Sequence, residues 1–179
     1  TGRLNVGGTL TVNAGDQVDI RHDFRAGTAP TIQTGGSANF TAVTTIRSAP
    51  GSLVSAGTSL FMNATGPNSA IDVDSLAAQN LTLLLAANGR INVYGTTTSG
   101  SDLTANARDE VAINNATVGD DISLTGNTVV TASLITNGTG LDSELDGSNI
   151  FISSVGAANV DHAEAGNEHR PGRRFGNRE

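Results

Sequence analysis

Asn80-Leu-Thr-Leu-Leu-Leu-Ala-Ala-Asn-Gly-Arg-Ile-Asn-Val-Tyr94 reads as strand, turn, strand. Leu81, Leu83 and Leu85 alternate with Thr82 and Leu84, and Ile91 and Val93 resume the alternation after the turn. A side-chain period of two marks a strand with one buried face. Asn88-Gly89 supplies the turn, with a backbone free to adopt positive φ.

Weaker copies of this unit lie on both sides of it. Opening strands are predicted at Thr9–Ala14, Ala38–Ala42, Ser59–Ala64, Asn80–Leu83, Asp102–Ala107, Asp121–Leu124 and Asn149–Ser153. Their first apolar residues, Leu10, Phe40, Leu60, Leu81, Leu103, Ile122 and Ile150, recur roughly every twenty residues. Two longer intervals, Leu10 to Phe40 and Ile122 to Ile150, each leave room for an extra loop. A second strand follows most of them, at Gln17–Ile20, Thr44–Arg47, Ala70–Val73, Arg90–Val93, Glu110–Ile113 and Thr128–Thr131. A third, poorer one is predicted at Thr31–Thr34, Ser52–Ser55, Ala116–Val118 and Ser133–Thr136.

Strands this short bury little surface one by one, but stacking each on its equivalent in the next turn makes one continuous core. The expected fold is therefore all-β: a right-handed parallel β-helix, or solenoid, of about seven coils. A β-sandwich of similar strand count is the alternative. The inward column is expected to hold Leu10/Val12, Phe40, Leu60/Met62, Leu81/Leu83, Leu103/Ala105, Ile122/Leu124 and Ile150/Ile152. Thr, Ser and Asn take the outward face, with Phe61 and Phe151 as its aromatic exceptions.

Composition agrees. Thr and Gly number 22 each, with 17 Asn and 15 Ser, while aromatic residues make up 3%. No long window carries helical periodicity with good helix formers. The absence of Cys rules out disulfides and thiolate metal sites. All 10 basic residues are Arg, a bias for which we have no physical account. A net charge of −7 disfavours a broad patch for nucleic acid or anionic membrane. No apolar run is long enough for a transmembrane helix. The lack of an initiator Met and of a signal peptide suggests a piece of a longer chain.

Two units are expected: residues 1–161 as the β-helix, and residues 162–179 as a polar, Arg-rich tail or linker, disordered because it lacks β-branched residues. Between strands, Arg25–Pro30 and Asn137–Gly147 are the prominent loops, and Thr96–Gly100 reads as a polar corner.

Chemistry-bearing candidates are few. Asp142, Glu144 and Asp146, followed by Gly147, resemble the front half of a calcium loop, but the closing position is Ser153 where a bidentate carboxylate is required. Asp120 and Asp121 invite comparison with the paired aspartates of β-helical pectin hydrolases, yet the other elements of that family are missing, and Asp before a strand is ordinary turn chemistry. Asp72 and Asp74 share a strand face and are expected to be solvated. His22, His162 and His169 show no ligand spacing. Asn-x-Thr triplets at Asn39, Asn63, Asn80, Asn115 and Asn137 follow from a Thr- and Asn-rich strand pattern. No catalytic residue, cofactor or metal is assigned.

Gly7-Gly-Thr-Leu-Thr-Val-Asn-Ala-Gly15, with Val118-Gly-Asp-Asp-Ile-Ser-Leu-Thr-Gly126 as a second form, resembles the coil repeats of filamentous-haemagglutinin-like exoproteins of two-partner secretion. The resemblance covers most of residues 3–156 and is one of repeat style. It implies an internal shaft segment of a large secreted bacterial protein: a non-enzymatic rod at the cell surface that presents loops to a host- or cell-surface glycan or protein. It also implies an outer-membrane secretion partner for the parent chain, without membrane insertion or nucleic-acid binding by this segment. Open strand edges at the ends of such a rod invite end-to-end self-association, so a self-assembling extracellular filament subunit is a second reading. A glycan-binding or glycan-cleaving β-helix is a third.

Overall fold

The structure is a computed structural model and describes residues 3–20, 30–138 and 148–166. Among these the chain forms strands and turns without helix, and the strands join one sheet in which every pairing is parallel. Parallel pairing throughout rules out the antiparallel sandwich and makes the fold a parallel β-solenoid. The loop residues 21–29, the calcium-loop candidates Asp142, Glu144 and Asp146, His22, His169 and the tail from residue 167 lie outside the described residues.

Three ladders run the length of the structure. The first stacks Arg3–Val6, Thr31–Thr34, Leu53–Ala56 and Ser75–Ala78, then the later parts of Arg90–Ser99, Glu110–Val118 and Ile122–Thr136. The second stacks Leu10–Ala14, Ala38–Ala42, Leu60–Ala64, Thr82–Ala86 and Leu103–Ala107, then the openings of Ile122–Thr136 and Ile150–Glu164. The third begins with Gln17–Ile20, Thr45–Ser48 and Ala70–Val73, and continues through the long strands. Ile150–Glu164 therefore carries regular pairing past the change of composition at residue 161, with Glu164 opposite Ile135.

The second ladder supplies the deepest column: Val12, Phe40, Met62, Leu84, Ala105, Leu124 and Ile152 occupy equivalent positions, and those from Phe40 to Leu124 are buried. Leu10, Ala38, Leu60, Thr82, Leu103, Ile122 and Ile150 form the parallel row beside it. At the end of this ladder, Ala14, Ala42, Ala64, Ala86 and Ala107 stand in line where the chain turns into the third, and a larger side chain there would overfill the closing corner.

One rung differs from expectation. Thr82, Leu84 and Ala86 point inward, while Leu81, Leu83 and Leu85 lie on the outer face, only partly covered. A slip of one residue exchanges the faces of a whole strand. Here Leu81 to Leu85 is apolar at both phases except for Thr82, so its own pattern cannot choose. The neighbours decide: Leu60/Met62/Ala64 and Leu103/Ala105/Ala107 align with Thr82/Leu84/Ala86.

Two more differences concern the first ladder. Ser75–Ala78 is a strand that sequence patterning missed, and Thr96–Ser99 is strand paired with Asn115–Val118, with Thr97 and Ser99 inside; of the expected corner only Gly100 lies in a bend. The inward positions are Leu76 and Ala78 in the first and Thr97 and Ser99 in the second, so hydrophobic periodicity has one large apolar residue to count between them. The Asn88-Gly89 turn does not use the positive φ open to it; among the described residues that conformation occurs at Gly51, Asn68 and Gly138. Close approach is what Gly89 provides, since a Cβ there would run into the Ser69 carbonyl.

Candidate functional site

The feature best suited to contact a ligand is the bend between the third ladder and the first. In most coils a single residue makes that bend: Asn114 between Ile113 and Asn115, and Ala132 between Thr131 and Ser133. One rung earlier there are two. Val93 pairs with Ile113 and Thr96 with Asn115, so Tyr94 and Gly95 together oppose Asn114. An extra residue bends its strand and re-aims the side chain it carries. Gly95 fits closely on the inner half, where a Cβ would press on Ser75 Oγ and Asp74 Oδ1 and make those side chains shift. Tyr94, the only tyrosine, is thrown outward and is 62% exposed.

Tyr94, Asn114, Ala132 and Asp161 thus stand in line along one wall of an open groove of about 310 Å³. Asn92, Ala112, Val130 and Asn159, register partners on the third ladder, line the other. Neighbouring strands lie about 4.8 Å apart, so four rungs extend the groove roughly 14 Å along the stack. Its polar groups are partly committed: Asn92 Nδ2 donates to Asp72 Oδ1 at 2.7 Å, and Asn114 Nδ2 to the Tyr94 carbonyl at 3.1 Å. Each leaves an amide oxygen as acceptor. A second groove of about 370 Å³, at the bend between the first and second ladders, is lined by Gln33, Ser55 and Gln79 among small residues and has no aromatic wall.

Outside the groove, two ion pairs join neighbouring rungs. On the outer face of the third ladder Asp19, Arg47, Asp72 and Asn92 are successive register partners. Arg47 meets Asp19 at 3.2 Å and Arg90 meets Asp72 at 3.0 Å. The Asp72 hydrogen bond and charge hold the Arg90 guanidinium above its ordinary range, against a smaller opposing effect of burial. Arg108 hydrogen-bonds its neighbour Asp109 and keeps that carboxyl below its usual range.

Asp72 and Asp74 are therefore not simply solvated. Asp72 holds Arg90 and Asn92, and Asp74 accepts the Gly51 N–H at 2.6 Å and the Ser75 hydroxyl at 2.9 Å. The paired aspartates also have local partners. Asp121 Oδ1 accepts the Asn149 N–H at 2.7 Å, repeating one coil on what Asp102 Oδ1 does for the Asp121 N–H at 3.3 Å. Asp120 is buried, with Ser148 Oγ at 3.4 Å from its Oδ1. His162 lies exposed in the last strand, 3.8 Å from Glu164. Among the described residues no cluster of His, Asp and Glu has the arrangement of a metal site, and no helix is long and apolar enough to cross a membrane.

Comparison with known proteins returns no match. No family model, no curated protein and no solved structure is similar to the chain. The groove must therefore be read from its own geometry. None of its residues was a sequence candidate. The available signal was the dipeptide Tyr94-Gly95, an isolated aromatic and a glycine immediately after the Ile91/Val93 alternation, where the later repeats show Asn114 alone.

Proposed function

We propose that this chain is a structural and adhesive shaft segment of a large secreted bacterial surface protein, of the filamentous-haemagglutinin-like kind. In this reading the segment is a right-handed parallel β-helix of about seven coils, followed by a disordered Arg-rich tail. It stands at the cell surface and presents its loops and one groove to a host- or cell-surface glycan or protein. The observation that carries the reading is the unbroken stacking of three parallel ladders around one apolar interior, since continuous backbone hydrogen bonding along an axis makes a stiff spacer. The repeat phrases Gly7–Gly15 and Val118–Gly126 supply the family part of the proposal. Bead adhesion tests it: beads coated with the protein should attach to cells or glycan-coated surfaces above beads coated with an unrelated β-protein. Attachment no better than that control on every surface tried would remove the adhesive part.

The filament-subunit reading is favoured by the last strand. Ile150–Glu164 pairs on one side with Ile122–Thr136 and with no other described strand, and it leaves Phe151 57% and Val155 94% exposed. Electron microscopy across a concentration series distinguishes the two: filaments that lengthen with concentration favour the subunit, single particles favour the shaft. A glycan-cleaving role would need Asp120 and Asp121 free for chemistry, whereas Asp121 is engaged with Asn149. Loss of any glycosidic-bond cleavage on Asp120→Asn or Asp121→Asn would restore that reading.

A further inference from the structure

We propose that the Tyr94 groove is a binding site for a neutral, extended oligosaccharide, held by stacking on the Tyr94 ring and by hydrogen bonds to Asn114, Asn159 and Asp161. The inference deepens the adhesive reading by naming the chemistry of what is bound, and it rests on that reading only for where the ligand would be met.

Three observations converge on sugar. First, the groove is amphipathic on the scale of one ring. Tyr94 and Val130, the latter 38% exposed, present apolar surface beside Ala112, with Asn and Asp side chains alternating around them. A pyranose matches this, with C–H groups on its faces and hydroxyls around its edge. An aromatic ring with a polar tip is suited to the first, and planar amides that donate and accept, with a carboxylate that accepts, to the second.

Second, the exposure of Tyr94 is built into the backbone. Tyr94 occupies the outward bend position that Asn114, Ala132 and Asp161 hold in later coils, and Gly95 beside it packs close to the Asp74 and Ser75 side chains. Asp74 is in turn fastened to the Gly51 N–H, so the base of the wall is tied to an earlier coil. Such support reduces the conformational entropy lost on binding.

Third, the groove is longer than one ring and runs along the stacking axis, so it fits a chain and not a single sugar. Among the described residues Asp161 is the only charged side chain lining it, in a molecule of net charge −7. That sign disfavours uronates and sialylated chains, and it leaves neutral glycans as the matching class.

Nitrogen-15 labelled protein titrated with cellotetraose, laminaritetraose, maltotetraose and chitotetraose at millimolar concentration tests this, with tetragalacturonate as the acidic arm. At least one neutral sugar should shift the amides of Tyr94, Asn114, Val130 and Asp161, and tetragalacturonate should not. Tyr94→Ala should weaken that binding by roughly tenfold or more, while Tyr94→Phe should keep most of it. Phe151→Ala, at an exposed aromatic away from the groove, should change nothing. The spectrum of each variant reports its fold in the same experiment. The proposal is overturned if no neutral tetrasaccharide shifts these residues, if binding survives Tyr94→Ala unchanged, or if the acidic sugar binds as well. Because the titration reads local contact in solution, a failed bead assay with a positive titration would sink the adhesive function and leave the groove assignment standing.

Discussion

Thr97→Val should make the protein more stable, against the usual direction of core substitutions. Thr97 sits inside the first ladder between Leu76 and Ala116, fully buried, and its Oγ1 has no hydrogen-bond partner among the described residues. A buried hydroxyl left unpaired costs about 1–3 kcal/mol. Valine has nearly the same shape and replaces that hydroxyl with a methyl group. The expected gain is about 2 kcal/mol, or roughly 4–8 °C in melting temperature for a chain of this size. Thr82→Val is the internal control. Thr82 is equally buried, but its Oγ1 lies 3.5 Å from Ser99 Oγ, whose own contacts run to the Asn80 and Asp102 carbonyls at 2.6 and 2.7 Å. Losing that long hydrogen bond offsets most of the gain, so the change should stay within about 1 kcal/mol of zero. The protein contains no Trp, so unfolding is best followed by far-ultraviolet circular dichroism in urea and on heating. A lowered midpoint for Thr97→Val, or equal gains at both positions, would refute the reasoning and mean that the Thr97 hydroxyl is satisfied.

Three other substitutions probe separate parts of the structure. Leu84→Ala should cost about 2–5 kcal/mol and Leu83→Ala less than about 1.5, although the residues are adjacent and identical; urea midpoints in the reverse order would place the strand in the other register. Gly119→Ala should destabilise by roughly 2 kcal/mol or more in the same assay, because its Cβ would collide with the Gly100 carbonyl of the coil before; a neutral result would mean that this corner is looser than described. Asp121→Ala should cost about 1–3 kcal/mol by removing the carboxylate that accepts the Asn149 N–H, whereas Asp121→Asn, which keeps an acceptor, should cost less; equal losses would assign the carboxylate's charge the larger role.

How far the sequence could be read depended on what each inward position holds. Where apolar residues alternate with Thr or Asn, as in Ala38–Ala42 and Leu103–Ala107, strand and facing follow directly from the pattern. Leu81–Leu85 fails because both of its faces are apolar, and its register is settled by strands about twenty residues away on either side, a constraint only stacking supplies. Ser75–Ala78 and Thr96–Ser99 fail for the opposite reason: of their inward side chains only Leu76 is large and apolar, and Ala78, Thr97 and Ser99 fill the rest of the interior. The groove was illegible because it depends on one extra residue relative to the neighbouring coil. That mismatch becomes visible only once Val93 is known to pair with Ile113 and Thr96 with Asn115.

The central claim is that equivalent residues of successive coils lie one above another at a constant spacing. Asn39, Phe61, Leu83, Thr104, Ser123 and Phe151 form one outward column, and the chain has no native Cys to interfere with labelling. Nitroxide pairs introduced as Asn39→Cys with Leu83→Cys, Ser123→Cys or Phe151→Cys span two, four and five rungs. Pulsed electron–electron dipolar spectroscopy on the longer pairs and continuous-wave line broadening on the shortest should give separations near 10, 19 and 24 Å, rising by about 4.8 Å per rung. Separations that fail to grow with rung number, or that shorten from Ser123 to Phe151, would contradict the stacked solenoid and every assignment built on it.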